Sequence, residues 1–329
     1  MKTLQDINVV NIYLMLGSLL LACTLPFEVF LLSYAILGPL HYLTEISWLK
    51  DKGFFLPHKH DIKIIGVFLI CMLLGSSAIS NFEELKIFKQ YYPVSIFICF
   101  SLSAVMVLVK DWGKRIYWII AINLGLLIFL LPIGHLIFLV YLPTLIHVYI
   151  FTGLFILFGA LKSKSKTGYL SLAVFLLCPI VCFIVPSEYY FGATQWAQAS
   201  YDGTFATLSQ VTLESIFGLS QSDSQNIYQH PLAVQLGRFI AFAYTYHYLN
   251  WFSKTNVIKW NNISKTRLIS IIGIWLLCIA VYLYDYVLGF KALFVLSFIH
   301  VVLEFPLNNI SIVGIGKTIK DNIANHYKK

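Results

Sequence analysis

The sequence has few charged residues for its length. Only 12% of its 329 residues are Asp, Glu, Lys or Arg, against roughly 25% in soluble globular domains. Hydrophobic residues make up 59% of the chain, and the mean hydropathy is +0.78. A soluble core of this size could not cover so much apolar surface. The composition therefore excludes a soluble globular protein and indicates an integral membrane protein.

Several other features are missing. Long apolar runs such as 64–79 lack an alternation of period two, which excludes a transmembrane barrel and leaves α-helices as the spanning elements. No glycine-rich phosphate-binding motif and no internal repeat occur, so nucleotide-driven transport has no support. All six cysteines fall inside predicted spans, which argues against a disulfide framework.

Apolar stretches of about 20 residues, the length that crosses a bilayer, recur ten times. The sequence thus predicts an all-α, polytopic helix bundle that forms a single transmembrane domain over 1–329. Pro26 between the first two spans favours a tight turn there, with one kinked helix as the alternative. The predicted spans are 8–25, 27–49, 63–81, 91–109, 115–132, 137–161, 168–186, 233–253, 267–287 and 290–306.

The basic residues fall into alternate connections. Lys and Arg cluster in the second, fourth, sixth and eighth connections and in the C-terminal tail. The positive-inside rule makes these segments cytoplasmic, so both termini are predicted in the cytoplasm of a multi-pass inner (plasma) membrane. This pattern argues against a nucleic-acid partner despite the net charge of +8. The longest connection, 186–232, contains no Lys or Arg and is predicted to be an extracytoplasmic loop or cap.

Ionisable residues within the predicted spans are few and grouped. Each costs roughly 2.5 to 3.5 kcal/mol to insert, so such residues commonly mark a functional path. His41 and Glu45 in the second span, and His300 and Glu304 in the last, are four residues apart and share a helix face. The eighth span adds His247. At about 1.5 Å per residue, the three imidazoles lie at one depth, roughly 10 to 14 Å from the cytoplasmic helix ends.

Imidazoles and carboxylates at one level suit a transition metal. Mixed His and carboxylate ligation with open positions is typical of non-haem iron, and helical pairs of this kind resemble the di-iron sites of helix bundles. We interpret the grouped residues as ligands of a mono- or dinuclear iron site, with the two glutamates also as candidate catalytic groups. Zinc with a polarised water is the hydrolytic alternative. Interhelical hydrogen bonds, a proton path and haem ligation are the other interpretations. The candidate metal ligands are His41, Glu45, His247, His300 and Glu304.

The remaining histidines are weaker candidates. His58 and His60 lie in the loop after the second span and could fold toward the same face. His147 lies in the outer half of the sixth span, too far from the cluster by this count, so a structural hydrogen bond is expected of it. Pro143 predicts a kink or a partly re-entrant start in that span, which leaves the position of His147 open.

Two short stretches resemble the Brp/Blh family of membrane carotenoid-cleaving oxygenases. The stretches are Gly-Pro-Leu-His at 38–41 and the aromatic-histidine pair Tyr246-His247. The family carries Gly-x-Pro-His in an early span and an aromatic-His motif in a late one, around a histidine-bound iron. The resemblance implies that His41 and His247 are iron ligands. The order of the first motif differs, and Trp251 stands where the family repeats histidine.

The favoured function is that of a membrane-bound, metal-dependent oxidoreductase. It would be an oxygenase or hydroxylase acting on a membrane lipid or isoprenoid-type substrate, with an electron donor or partner subunits as possible partners. Glu45 and Glu304 would be ligands or would orient the imidazoles. The alternatives are a proton-coupled transporter that uses the same groups as a relay, and a non-catalytic subunit of a membrane complex.

Overall fold

The computed structural model describes residues 4–75 and 86–326. Within these ranges the regular elements are all helical and no strand occurs, as the sequence predicts. Ten long helices overlap the ten predicted spans. They are α1 (Leu4–Thr24), α2 (Pro26–Asp51), α3 (Asp61–Gly75), α4 (Lys86–Leu108), α5 (Trp112–Gly125), α6 (Pro132–Ser163), α7 (Lys166–Ile184), α8 (Pro231–Ser253), α9 (Lys265–Tyr284) and α10 (Tyr286–His326).

Eight helices of the described chain are long and apolar enough to cross a membrane. Many of their large apolar side chains stay exposed, for example Tyr117, Leu130 and Leu283. Apolar surface of this extent is covered by a partner or a membrane, so the chain has the character of a multi-pass membrane protein. The count of ten crossings, the type of membrane and the side of each terminus stay predictions.

Two of the long helices are not among these eight. The described part of α3 has 15 residues, and the rest of its predicted span, 76–81, lies outside the described residues. Helix α8 has 23 residues but is rich in polar side chains. Most of α8 is buried against other helices, and protein neighbours make such polar residues tolerable at membrane depth.

The helix boundaries follow local sequence signals. Leu25 leaves the helical conformation (φ −134°, ψ 57°), and Pro26 begins α2 at the first helical position. The helix is therefore interrupted at Leu25, between Thr24 and Pro26, while two separate crossings at this point stay a prediction. Ser165 and Ser264 cap α7 and α9 by accepting hydrogen bonds from backbone N–H groups of the first turn. Helix α10 runs through Pro306 to its end at residue 326, so the predicted end at 306 is wrong.

Contacts divide the chain into two compact units. Unit 1 comprises 1–41 and 155–290, and unit 2 comprises 42–154 and 291–329. The boundary between His41 and Tyr42 falls inside the uninterrupted helix α2. The single domain expected over the whole chain stays a prediction, and the tail lysines at 328 and 329 lie outside the described residues.

In unit 1, α8 is the central helix and packs against α1, α7 and the first part of α2. Its Arg238 is fully buried. The guanidinium donates hydrogen bonds to the carbonyls of Cys23 (3.0 Å), Val185 (2.6 Å) and Pro186 (3.0 Å). These carbonyls belong to the C-terminal ends of α1 and α7, where helix carbonyls lack partners and a cation is favoured. Arg238 thus ties three helices together.

The segment 186–232 belongs to unit 1 and packs onto the long helices of that unit. It contains short helices, including Gln195–Asp202 and Ala206–Ser215. Its Tyr201 is buried and lies edge-on to Phe27, with ring centroids 5.0 Å apart. The backbone N–H of Thr194 donates to the Glu28 carboxylate at 2.7 Å. The segment is therefore a packed cap on these helices, while its extracytoplasmic side stays a prediction.

In unit 2, α4 packs against α3, α5 and the π-helical part of α6. A buried ion pair joins the first turn of α3 to α5. Arg115 donates to both carboxylate oxygens of Asp61, at 2.8 and 3.2 Å, and to the carbonyls of Met106 and Val109. The sequence predicts both residues in cytoplasmic connections. In the structure they lie in the first turns of α3 and α5 and join these two helices.

Candidate metal centre

His41 follows an irregular turn of α2. Residues Ser33–Leu37 form a π-helical turn in which the Gly38 N–H bonds to the Ser33 carbonyl, five residues back. Pro39, next in the chain, cannot donate a backbone hydrogen bond and crowds the carbonyl four residues before it. A single widened turn relieves this conflict, and such turns are frequent at functional sites. The turn sets the helix face on which the buried His41 lies.

Within unit 1, His41 pairs with His247 of α8. Their Nε2 atoms are 3.1 Å apart, and the rings are nearly perpendicular, with centroids 4.8 Å apart and an interplanar angle of 83°. The rings of Tyr248 and Trp251 lie against His41, each with a centroid distance of 5.4 Å. Both histidines are buried, so aromatic side chains form the walls of this pair.

Within unit 2, His147 of α6 pairs with His300 of α10. Their Nε2 atoms are also 3.1 Å apart, with ring centroids 5.0 Å apart at 75°. The Nδ1 atom of His147 lies 3.3 Å from Oε2 of Glu304, and the His300 ring stacks on Tyr42 at 4.1 Å. This pair therefore has a carboxylate beside it.

The expectation that His147 lies too far from the cluster is wrong. His147 belongs to a π-helical run, Leu136–Phe151, that contains Pro143. The depth count assumed regular helices that end at a membrane surface, but α10 continues 20 residues beyond its predicted end at 306. The signal that could have found His147 is a histidine one turn after an intramembrane proline.

The two predicted glutamates are both buried, with 2% of Glu45 and 3% of Glu304 exposed. Each follows its histidine by one helical turn, as predicted from the spacing. Both carboxyl groups belong to unit 2. Two ionised carboxylates in a low-dielectric interior are relieved by a bound cation or by a proton.

Three of the predicted ligands form a buried group that could bind a metal. His41, His247 and His300 each offer a ring nitrogen, and these atoms all lie within 4.8 Å of one another. His58 and His60 do not belong to this group. The His58 Nε2 lies 3.0 Å from the Lys110 carbonyl, and His60 is exposed.

The residues that carry the Brp/Blh resemblance, His41 and His247, are the pair that unit 1 brings together. Trp251, which stands in place of the family's further histidine, contributes its ring to the wall beside His41. Membership of that family stays a prediction. No known protein-family model, curated protein or solved structure matches the chain.

Proposed function

We propose that the protein is an integral-membrane metalloenzyme, a non-haem iron oxygenase or hydroxylase that acts on a lipophilic substrate. The observation that carries this proposal is the buried group of His41, His247 and His300. Ionisable residues at membrane depth are costly and mark functional sites. Neutral imidazoles with nearby carboxylates, such as Glu304, match the ligand set of non-haem iron.

The pair distances fit ligands that share an ion. Metal–nitrogen bonds of about 2.0 to 2.1 Å at tetrahedral or octahedral angles place two ligand nitrogens about 2.9 to 3.4 Å apart. The His41–His247 and His147–His300 distances of 3.1 Å fall in this interval. An N–H···N hydrogen bond has a similar length but joins only two rings. A third imidazole nitrogen in the same group favours the metal.

Glu304 supports ligation through His147. A carboxylate 3.3 Å from Nδ1 favours the tautomer that carries its proton on Nδ1, which leaves a lone pair on Nε2. That Nε2 faces His300. Carboxylates that orient metal-binding imidazoles in this way are common beside metal ligands. His147 and Glu304 are the further donors that a second iron would require.

Unit 2 also contains a cavity suited to an apolar chain. The cavity has a volume of about 360 Å³ and is lined mainly by apolar side chains of α3, α4 and α5, among them Phe68, Leu102 and Ile122. Ligand pockets span roughly 300 to 1,000 Å³. Bound iron would supply oxygen and one-electron chemistry, and the aromatic walls at Tyr42 and Tyr248 would exclude water from the reacting substrate.

Elemental analysis with an optical spectrum tests the proposal. Full-length protein purified in detergent from cells supplied with iron and zinc should contain iron, without the spectrum of haem. The iron should fall to background in His41→Ala, because one of the converging imidazoles is gone. The matched control is His60→Ala. His60 is exposed in the connection that follows α2, so this variant should keep its iron.

Two results would overturn parts of this proposal. Absence of any metal from folded wild-type protein would remove the metalloenzyme, and zinc in place of iron would remove the redox chemistry. Because His41→Ala could fail to fold, helix content by circular dichroism and elution as a single species accompany the metal analysis. His41→Asn, which keeps a polar side chain of similar reach, provides a second variant.

A proton-coupled transporter is the second candidate. The observation that favours it is the series of ionisable groups Glu304, His147 and His300, spaced by 3.3 and 3.1 Å. Such a series could pass protons along the bundle. This function predicts pH-dependent transport in proteoliposomes that is lost in Glu45→Gln, from protein that contains no stoichiometric metal.

A further inference from the structure

Unit 1 contains a cavity with apolar and polar lining residues that neither His41 nor His247 lines. Its volume is about 170 Å³, and a water molecule takes about 30 Å³ of liquid volume. The space therefore suits a compact polar group and is too small for a lipid chain. The polar side chains that line it are Asn8, Asn11, Ser163, Ser171, Tyr246, Asn250 and Lys254.

The geometry of α8 explains why one wall of this cavity is polar. Tyr246, Asn250 and Lys254 are spaced four residues apart, so they follow one another along a single face of α8 and its C-terminal cap. His247 is displaced from this face by one residue, which is about 100° around the helix. The same helix thus presents the histidine pair on one side and the cavity wall on another.

Several polar groups near this cavity bond to one another or to the backbone. The Asn11 Oδ1 accepts hydrogen bonds from the Tyr246 hydroxyl and the Ser253 hydroxyl, both at 3.1 Å. The Tyr246 hydroxyl also lies 3.4 Å from the Asn250 Oδ1. Asn11 donates its own amide hydrogen to the Ile7 carbonyl at 2.9 Å.

The donor that stands out at this cavity is the Lys254 ammonium. Lys254 is one of the residues that line the cavity. Among the described residues, no hydrogen bond or ion pair is found for its ammonium group. Burial lowers the pKa of Lys254 to about 8, while the residue as a whole is partly exposed. A cavity lined by a cation and amide groups, with no carboxylate among its lining residues, is complementary to an anion.

We propose that this cavity binds a phosphate group, with Lys254 as its cationic contact and Asn250 as an amide donor. The volume admits a phosphoryl group with its ester oxygen, and lysine is a common point-charge partner of phosphate. The group could belong to a phospholipid headgroup or to free phosphate, because both present the same oxygens. This site is separate from the proposed iron centre and does not depend on it.

Binding of two probes to full-length protein in detergent tests the site. Equilibrium dialysis with radiolabelled inorganic phosphate measures free phosphate, and native mass spectrometry measures retained phosphatidic acid against phosphatidylcholine. At least one probe should bind the wild type. Its affinity should fall about tenfold or more in Lys254→Gln and recover in Lys254→Arg, because the charge contact is lost and restored. Lys265→Gln, an exposed lysine of the next helix start, is the matched control.

The outcomes separate the sources of the phosphate. Binding of inorganic phosphate that depends on Lys254 assigns a soluble ligand, and retention of phosphatidic acid alone assigns a lipid headgroup. Equal affinity in the wild type and Lys254→Gln, or binding of neither probe, overturns the site. Metal content measured on the same samples should stay unchanged in Lys254→Gln, so failure of this site and failure of the iron centre are distinguishable.

Discussion

Each of the two units contains a pair of buried histidines and a buried arginine. The groups that contact these side chains differ between the units. In unit 1, His41 and His247 are walled by aromatic rings, and Arg238 donates to backbone carbonyls. In unit 2, His147 lies beside Glu304, and Arg115 is paired with a carboxylate as well as carbonyls.

This difference shows in which unit a charged partner holds a buried side chain in place. Neutral partners in unit 1 hold their groups by shape and hydrogen bonding, so no single carboxylate sets their orientation. In unit 2 the Asp61 carboxylate accepts two hydrogen bonds from a guanidinium, and the Glu304 carboxylate lies 3.3 Å from an imidazole nitrogen. Removing one member of a buried charge pair leaves the other uncompensated, so unit 2 should be the more sensitive to neutralisation of an acid.

The largest expected effect concerns His247 and His300 of the proposed iron centre. If His247 and His300 bind one shared iron, as the proposed centre requires, His247→Ala and His300→Ala should each lose essentially all of the iron. Elemental analysis of purified, folded protein measures this. Loss of about half of the iron in either variant would contradict a shared ion and would instead give each histidine pair its own iron.

The second expected effect is on stability and belongs to unit 2. Asp61→Asn removes the carboxylate from Arg115 while both groups are buried, so the free energy of unfolding should fall by about 3 to 5 kcal/mol. Denaturation of the protein in mixed detergent micelles measures it. Asp321→Asn, at an exposed position of α10, should change stability by less than about 0.5 kcal/mol. Equal effects in the two variants would show that the pair contributes nothing.

The positions of the helices follow directly from the sequence, because apolar runs of membrane length are a strong and local signal. The ten predicted spans each overlap a long helix. The grouping of His41, His247 and His300 was also predictable, since spacing along a helix and depth along the chain are both countable. These three residues form the buried group that could bind a metal, while their role as ligands stays a prediction.

The rest depends on contacts that the sequence does not encode locally. Counting along regular helices misplaces His147, because a π-helical run changes the register of α6 around Pro143. Arg238 bonds to carbonyls at helix ends that are distant in sequence, and no motif records such a contact. Asp61 and Arg115 lie 54 residues apart. In the sequence alone, nothing distinguishes either one from an ordinary charged loop residue.

The third expected effect tests the carboxylate of the unit-2 pair. Glu304→Gln keeps the shape of the side chain but removes the charge that favours a proton on Nδ1 of His147. Loss of a carboxylate that orients an imidazole weakens metal binding about 10- to 100-fold. Competition with a chelator should therefore remove iron at a lower chelator concentration than in the wild type. Glu188→Gln, at an exposed position, should behave as wild type, and unchanged iron retention in Glu304→Gln would remove the orienting role.

The smallest expected effect belongs to the neutral network of unit 1. Tyr246→Phe deletes the hydroxyl that donates to the Asn11 Oδ1 at 3.1 Å and keeps the ring between its aromatic neighbours. Asn11 keeps the Ser253 hydroxyl at 3.1 Å, Asn250 loses only a 3.4 Å contact, and no buried charge results. The free energy of unfolding should fall by only about 0.5 to 1.5 kcal/mol. A loss as large as that of Asp61→Asn would show that neutral hydrogen bonds fix unit 1 as strictly as charge pairs fix unit 2, and the contrast between the units would fail.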